Sequence, residues 1–208
     1  NGYEVIIEGG EKISCDSVVV ATPAYAAAGI LTELDRELSV MLNTIPYVST
    51  ATVSMGFKKK DIKIALDGFG FVIPRSENKR IMAASWVSVK FLHRAPDDSV
   101  LIRCFVGGAK NEETVFLSDD KVSEIVQEDL KDIMGIEAEP VFKRIFRWHK
   151  AMPQYIIGHE ERVAALEERV EKHPGLYLSG SAYHGVGISD CIRMGEETAA
   201  KVLNHLGI

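Results

Sequence analysis

The sequence predicts a chain of mixed α/β and α+β character, with a strand–helix unit at each end and a strand-rich middle. Three observations predict it. Val18-Val19-Val20-Ala21-Thr22 is an apolar β-branched run closed by Pro23, the pattern of a parallel strand covered on both faces and followed by a helix. From Tyr47 to Val106, runs rich in Val, Thr and Ser follow one another without helices between them, as in an antiparallel or mixed sheet. From Leu176 to Leu206, a short apolar strand passes through a glycine-rich loop into a helix.

Tyr3 to Glu8 alternates like a strand, Gly9-Gly10 supplies a turn, and Lys12 to Cys15 returns. Ala24 to Leu31 and Asp35 to Leu42 read as helices. In the middle, Tyr47 to Phe57, Phe69 to Pro74, Ile81 to Lys90 and Val100 to Val106 read as strands. Val122, Ile125, Val126, Leu130, Ile133 and Met134 recur at helical spacing, with Asp129 the one polar break. Ser118 or Asp119 is placed to cap that helix and Gly135 to end it. Val141 to Trp148 reads as a further strand, and His159 to Val170 as a charged amphipathic helix. Gly175 to Gly180 is a short strand, and a last helix runs from about Cys191 to Leu206. Residues 1–45 and 148–208 therefore form two outer pieces of one domain, and 46–147 a second domain inserted between them.

The 208 residues are 46% hydrophobic and carry a net charge of -6, which gives no basis for a nucleic-acid partner. Three widely spaced cysteines fit a reducing cytoplasm better than a disulfide framework. The six histidines form no ligand cluster, so no metal is expected. The chain opens inside a strand without Met, which reads as a chain whose N-terminal half lies elsewhere.

The loop Gly180 to Asp190 carries the strongest chemical signal. A strand delivers the chain to glycines, and a helix begins where backbone amides and the positive end of the helix dipole receive anions. Ser189 or Asp190 is the expected cap. The bland alternative is a tight turn into a packed helix, since a lone glycine-rich turn is a weak signal.

Leu176-Tyr177-Leu178-Ser179-Gly180-Ser181-Ala182-Tyr183, with Gly185-Val186-Gly187-Ile188 and Asp190-Cys191-Ile192, resembles the C-terminal motif of the protoporphyrinogen oxidases of the flavin amine oxidase superfamily. Further blocks follow in the family's order: Val18 to Pro23, Gly68 to Pro74 with Glu77, Arg94-Ala95-Pro96, Phe105 to Ala109, and Met152-Pro153-Gln154-Tyr155 with Gly158-His159. Ser189 stands where bacterial members commonly have Pro. No GxGxxG follows a strand, so the dinucleotide fingerprint is absent from these residues.

The resemblance implies part of a Rossmann-like FAD-binding domain with an inserted substrate-binding domain. It implies FAD as cofactor, and Gly180, Ser181, Val186, Gly187 and Ile188 as its contacts. It implies a porphyrinogen substrate, protoporphyrinogen IX or coproporphyrinogen III, oxidised with dioxygen in heme biosynthesis. Phe69, Gly70, Val72, Met82, Ser85 and Phe105 then line the substrate slot; without the family, these would be read first as plain core residues. No side chain reads as an obligatory acid or base, so no catalytic residue is named. Further implications are a cytoplasmic location, compatible with peripheral attachment to the cytoplasmic membrane, and inactivity of this piece without its N-terminal half. Amine oxidase, carotenoid desaturase and a non-catalytic tetrapyrrole-binding module stay open as alternatives. Gly187 is expected to tolerate no bulky side chain, whereas Gly175 reads as an ordinary turn. His184 reads as a solvated loop histidine and Cys191 as a small core residue.

Overall fold

The computed structural model describes residues 2–208. In chain order it holds β1 (Tyr3–Ile6), β2 (Lys12–Cys15), β3 (Val18–Val20), α1 (Ala24–Leu31), α2 (Arg36–Leu42) and β4 (Tyr47–Lys58). Then come β5 (Gly70–Val72), β6 (Ile81–Trp86), α3 (Val87–Lys90), β7 (Ser99–Gly107), α4 (Gly108–Asn111) and α5 (Asp119–Met134). β8 (Phe142–Pro153), α6 (His159–Val170), β9 (Leu176–Leu178) and α7 (Ile188–Leu206) complete the chain. The expected mixture of α/β and α+β parts is present. The chain divides into two compact units, one of residues up to Tyr47 together with Pro153–Ile208, the other Val48–Met152.

In the first unit β3 and β9 pair in parallel, Val18 opposite Leu176 and Val20 opposite Leu178. β1 and β2 form a separate antiparallel hairpin. Ala24, Ala27, Ala28 and Leu31 of α1 pack with Leu38 and Leu42 of α2 and with Val163 and Leu166 of α6. The small residues of α1 let these helices approach closely, so one alanine-rich face is fully buried.

A buried carboxylate holds the same helices. Asp35 caps α2, accepting from Leu38 N at 3.0 Å. Its oxygens also accept from Arg169 Nε at 2.6 Å and Nη2 at 2.9 Å, and lie 2.7 Å from His173 Nε2. The Arg169 hydrogen bonds, supported by those of His173 and Leu38, hold the Asp35 carboxyl well below the usual carboxylate range against the opposing effect of burial.

The second unit is a five-stranded sheet of order β5-β6-β7-β4-β8. β6 and β4 both run antiparallel to β7. Strand alternation separates its two faces. Ala51, Val53, Met55 and Phe57 of β4 and Val100, Ile102, Cys104 and Val106 of β7 point to one side, where Val122, Val126, Leu130 and Met134 of α5 cover them. At about 1.5–3 kcal/mol per buried aliphatic side chain, this contact is the main stabilisation of the unit. Burial pushes the Cys104 thiol up to about 12, which leaves it an inert core group.

The cap and stop signals of α5 act as expected: Ser118 Oγ accepts from Lys121 N, and Gly135 takes the left-handed conformation at φ 65°. The polar break at Asp129 has a structural use. Its carboxylate is buried and accepts the amides of Arg80 at 2.7 Å and Ile81 at 2.9 Å, pinning the start of β6. The expected strand Ile81 to Lys90 ends at Trp86 instead, and α3 follows. The reason is local: Ser88 Oγ accepts the amide of Leu101, so a side chain takes the place where the ladder with β7 would have continued.

Two outcomes are expected from these buried carboxylates. Asp129→Ala leaves two buried amides without acceptors and should cost about 3 kcal/mol. Both tryptophans, Trp86 and Trp148, lie in this unit, so urea unfolding followed by tryptophan fluorescence reads it directly. In the first unit, the contribution of Asp35 is fully present above its unfolded value of about 4 and is lost as the pH falls below that toward the folded value. Asp35→Asn should therefore flatten the acid limb of the stability profile in circular dichroism. An unchanged acid limb would show that the Arg169 pairing contributes nothing.

Candidate functional site

Two places hold the residues singled out from the sequence, one in each unit. In the first unit, the loop between β9 and α7 contains Gly180, Ser181, Val186 and Gly187, and α7 opens with Ile188. Its shape is set by residues outside the loop. Tyr155 Oη donates to Ser181 O at 2.9 Å and accepts from Gly185 N at 2.7 Å, joining the two limbs of the loop. Burial raises the Tyr155 hydroxyl, which keeps it a donor. The Tyr155 ring stacks on His159, centroids 3.8 Å apart and planes inclined by 13°. His159 Nε2 in turn lies 3.0 Å from Tyr183 O. The loop is thus braced by the two residues that open and close the Tyr155 to His159 stretch.

The glycines act differently from expectation. Gly187 is the N-cap of α7, with φ -70° and no side-chain cap hydrogen bond, so it sits in a conformation open to any residue. The expected caps, Ser189 and Asp190, lie inside the helix, because it begins at Ile188. Gly180 and Gly185 are the conformationally demanding positions, at φ 123° and 140°, and a Cβ at Gly185 would fall 2.5 Å from the Asp190 carboxyl carbon. A Cβ at Gly187 would meet the Asp190 Oδ2 at 2.8 Å. The space beside both glycines is therefore taken by the side chain of Asp190. Gly175 is no ordinary turn either. Its φ is 89°, and a Cβ would stand 2.9 Å from both Asp16 O and His205 Nε2. His184 points to Glu167 of α6, Nε2 to Oε1 2.8 Å. Cys191 is half-buried, its thiol toward Gly185 O at 3.9 Å. Two apolar side chains stand outward here, Val186 half exposed and Ile188 82% exposed, beside the first-turn amides of α7 that have no intrahelical acceptor; His184 and Ser189 are exposed as well.

In the second unit, four of the six slot residues share the sheet face opposite α5. Gly70 and Val72 of β5, Ser85 of β6 and Phe105 of β7 all alternate with core-facing neighbours. Phe69 precedes β5 and is exposed; its carbonyl accepts from Ser85 Oγ and Trp86 N. Met82 occupies the irregularity between Ile81 and Ala83, where its sulfur lies against Gly108. Gly70 has a packing reason of its own: at φ 137°, a Cβ would sit 2.0 Å from Ala84 O.

The same face carries residues that sequence reading passed over. β4 contributes Thr50, Thr52, Ser54 and Gly56, and β7 contributes Leu101 and Arg103. On β8, Ile145 packs on the core and Arg147 reaches Val115 O on the α5 side, so Arg144, Phe146 and Trp148 face the other way. Arg103 stands mid-sheet, opposite Ser54 of β4 and Ser85 of β6. Its Nε reaches Ser54 Oγ at 3.5 Å. None of the strand positions on this face is Asp or Glu. The signal was present in the alternation Leu101-Arg103-Phe105 against Val100-Ile102-Cys104-Val106, which places Arg103 beside Phe105. The face is chemically suited to a flat, largely apolar molecule with anionic groups.

The family profile described as flavin containing amine oxidoreductase matches residues 1–203. The chain is 39% identical over 205 residues to the coproporphyrinogen III oxidase of Bacillus subtilis (strain 168), covering 98% of this chain and 43% of that protein. It is 30% identical over 202 residues to the mitochondrial protoporphyrinogen oxidase of Nicotiana tabacum, covering 94% and 40%. A crystal structure from Exiguobacterium sp. 255-15, carrying the provisional name protoporphyrinogen oxidase, superposes with TM-score 0.83 and 31% identity over 100% of this chain and 44% of that one. A putrescine oxidase variant shares the fold at TM-score 0.72 and 18% identity, over 98% and 46%. The chain thus spans about two fifths of the length of the curated relatives it matches. With a profile match across nearly its whole length, the chain belongs to the flavin containing amine oxidoreductase family.

Proposed function

We propose that this chain is the C-terminal part of an FAD-dependent porphyrinogen oxidase of heme biosynthesis, acting on protoporphyrinogen IX or coproporphyrinogen III with dioxygen as acceptor. The observation that carries the reading is the carboxylate-free sheet face of the second unit, in a chain 39% identical to a coproporphyrinogen III oxidase. On this reading the outer unit is part of the FAD-binding domain and the sheet unit binds substrate. Phe69, Val72 and Phe105 offer apolar surface to the tetrapyrrole, and Ser85 a hydroxyl at its edge.

The flavin is assigned to the loop of the first unit. The residues fit it in two respects: apolar Val186 and Ile188 stand outward where a ring system would lie, and the α7 amides beside them suit electron-rich oxygens. When bound, FAD supplies the hydride acceptor for the six-electron oxidation. The chain's own part is to hold and orient. Gly180, Ser181, Val186, Gly187 and Ile188 form the contact surface, and the Tyr155 hydroxyl holds the limbs of the loop at a set distance. The remainder of the same protein has a place in this scheme. Among the described residues β3 and β9 each have a single strand neighbour, and a cleft of about 690 Å³ opens between α6, β9 and α7. A two-stranded parallel sheet is short of the usual covered sheet, which supports completion by the N-terminal part. No helix among the described residues is long and apolar enough to cross a membrane. A cytoplasmic location, with peripheral contact to the cytoplasmic membrane, accompanies the reading.

Two measurements test it. The complete gene product, supplied with coproporphyrinogen III, protoporphyrinogen IX or putrescine, should generate porphyrin fluorescence from a porphyrinogen in air and none under nitrogen. Amine turnover, or porphyrin binding without oxidation, would replace the reading with one of its alternatives. For the loop, Gly185→Ala introduces roughly 1–3 kcal/mol of backbone strain and should lower the flavin content of the purified protein. Gly187→Ala displaces only the end of the Asp190 side chain and should lower it less. Equal, full flavin content in both variants would remove the loop from the flavin site.

A further inference from the structure

The sheet face of the second unit contains a second arginine placed in line with the first. Phe142 lies against Gly56, and Lys150 N donates to Ser49 Oγ, so β8 runs antiparallel to β4. Arg144, two residues beyond Phe142, therefore falls beside Ser54, on the far side from Arg103. One row across the sheet reads Ser85, Arg103, Ser54, Arg144. With neighbouring strands about 4.8 Å apart, the two arginine backbones stand roughly 10 Å from each other. Among the described residues neither guanidinium has a carboxylate partner. Arg103 reaches only the Ser54 hydroxyl, and Arg144 lies 5.9 Å from the Phe146 ring centroid. Four cations away from this face are paired: Lys58 with Asp98, Lys79 with Asp132, Arg80 with Glu128, Arg147 with Asp119. Two unpaired arginines on a face without acidic residues, between aromatic and small side chains, form a built preference for carboxylates on a flat body.

We infer that Arg103 and Arg144 bind carboxylates of the substrate, one on each side of Ser54, and that this pair orients the ligand on the sheet. The inference rests on the porphyrinogen reading and deepens it: the carboxylates are the propionate groups at the rim of the tetrapyrrole. The rows on either side then take the apolar macrocycle, with Val72, Ala83, Phe105 and Thr52 in one of them. Guanidinium forks suit this task better than ammonium groups, because each presents parallel N–H donors to a planar carboxylate.

The test compares the free acid with a neutral ester in the complete gene product. Titration with coproporphyrin III and with its tetramethyl ester, followed by porphyrin fluorescence, should show tighter binding of the acid by the wild type. Arg103→Gln should raise KM for coproporphyrinogen III by about 10- to 100-fold and narrow the acid-to-ester affinity ratio by a similar factor. Arg103→Lys should restore part of that ratio, since it keeps the charge and loses the fork. Arg144→Gln, at an exposed position of an edge strand, should narrow the ratio independently if Arg103→Gln fails to fold by circular dichroism. If folded variants weaken acid and ester equally, or leave KM unchanged, the arginines are structural and the inference falls while the porphyrinogen reading stands. If the wild type neither oxidises a porphyrinogen nor binds the porphyrin, the reading itself falls, and with it the ligand assigned to the pair.

Discussion

The sheet of the second unit presents a usable surface because its opposite surface is sealed. Val122, Val126, Leu130 and Met134 of α5 cover the core-facing residues of β4 and β7, and this contact decides which side of every strand is free. Side chains alternate with period two, so a slip of one residue would move Arg103 and Phe105 into the core and expose Ile102 and Cys104. Asp129 guards against such a slip at β6. Its carboxylate reaches from α5 to the amides of Arg80 and Ile81 and so ties helix and strand in one register. A buried carboxylate normally opposes folding; here two backbone donors and the nearby Arg80 guanidinium offset its desolvation.

The loop of the first unit illustrates a different division of labour. Its glycines do not by themselves define its form. Asp190 fills the space beside Gly185 and Gly187, and Tyr155 bridges Ser181 and Gly185 from outside. Gly180 and Gly185 need a backbone that other residues avoid, and Gly187 does not. Exposed Val186 and Ile188 stand beside the first-turn amides, and Asp190 lies 3.7 Å from Arg193 within α7. The stack of Tyr155 on His159 connects this arrangement to the start of α6, so the loop is anchored to the same helix that Arg169 ties to Asp35.

Charge is distributed with the same economy in the sheet unit. Exposed ion pairs such as Lys58–Asp98 and Lys79–Asp132 lie at strand ends and beside α5, where solvent screens them and each contributes little to stability. The two arginines on the free face stand apart from these pairs.

Much of this was legible in the residues alone. Periodicity and capping located α1, α5, α6 and most strands, because apolar spacing, Ser118 and Gly135 act within a few residues of themselves. The ordered family blocks, from Val18–Pro23 to Gly180–Asp190, identified the relationship. What the sequence could not specify were contacts that join distant segments: Asp35 with Arg169, 134 positions apart, or Tyr155 with Gly185, 30 apart. Nor could glycine identity reveal that Gly185, and not Gly187, has the positive φ, since backbone angle depends on where Asp190 folds. The arginine row was hidden for the same reason. Arg103 and Arg144 lie on strands separated in sequence and become neighbours across Ser54 only once β4 has been paired on both sides. Local chemistry determined the elements and the family; tertiary pairing decided which side chains meet and what they face.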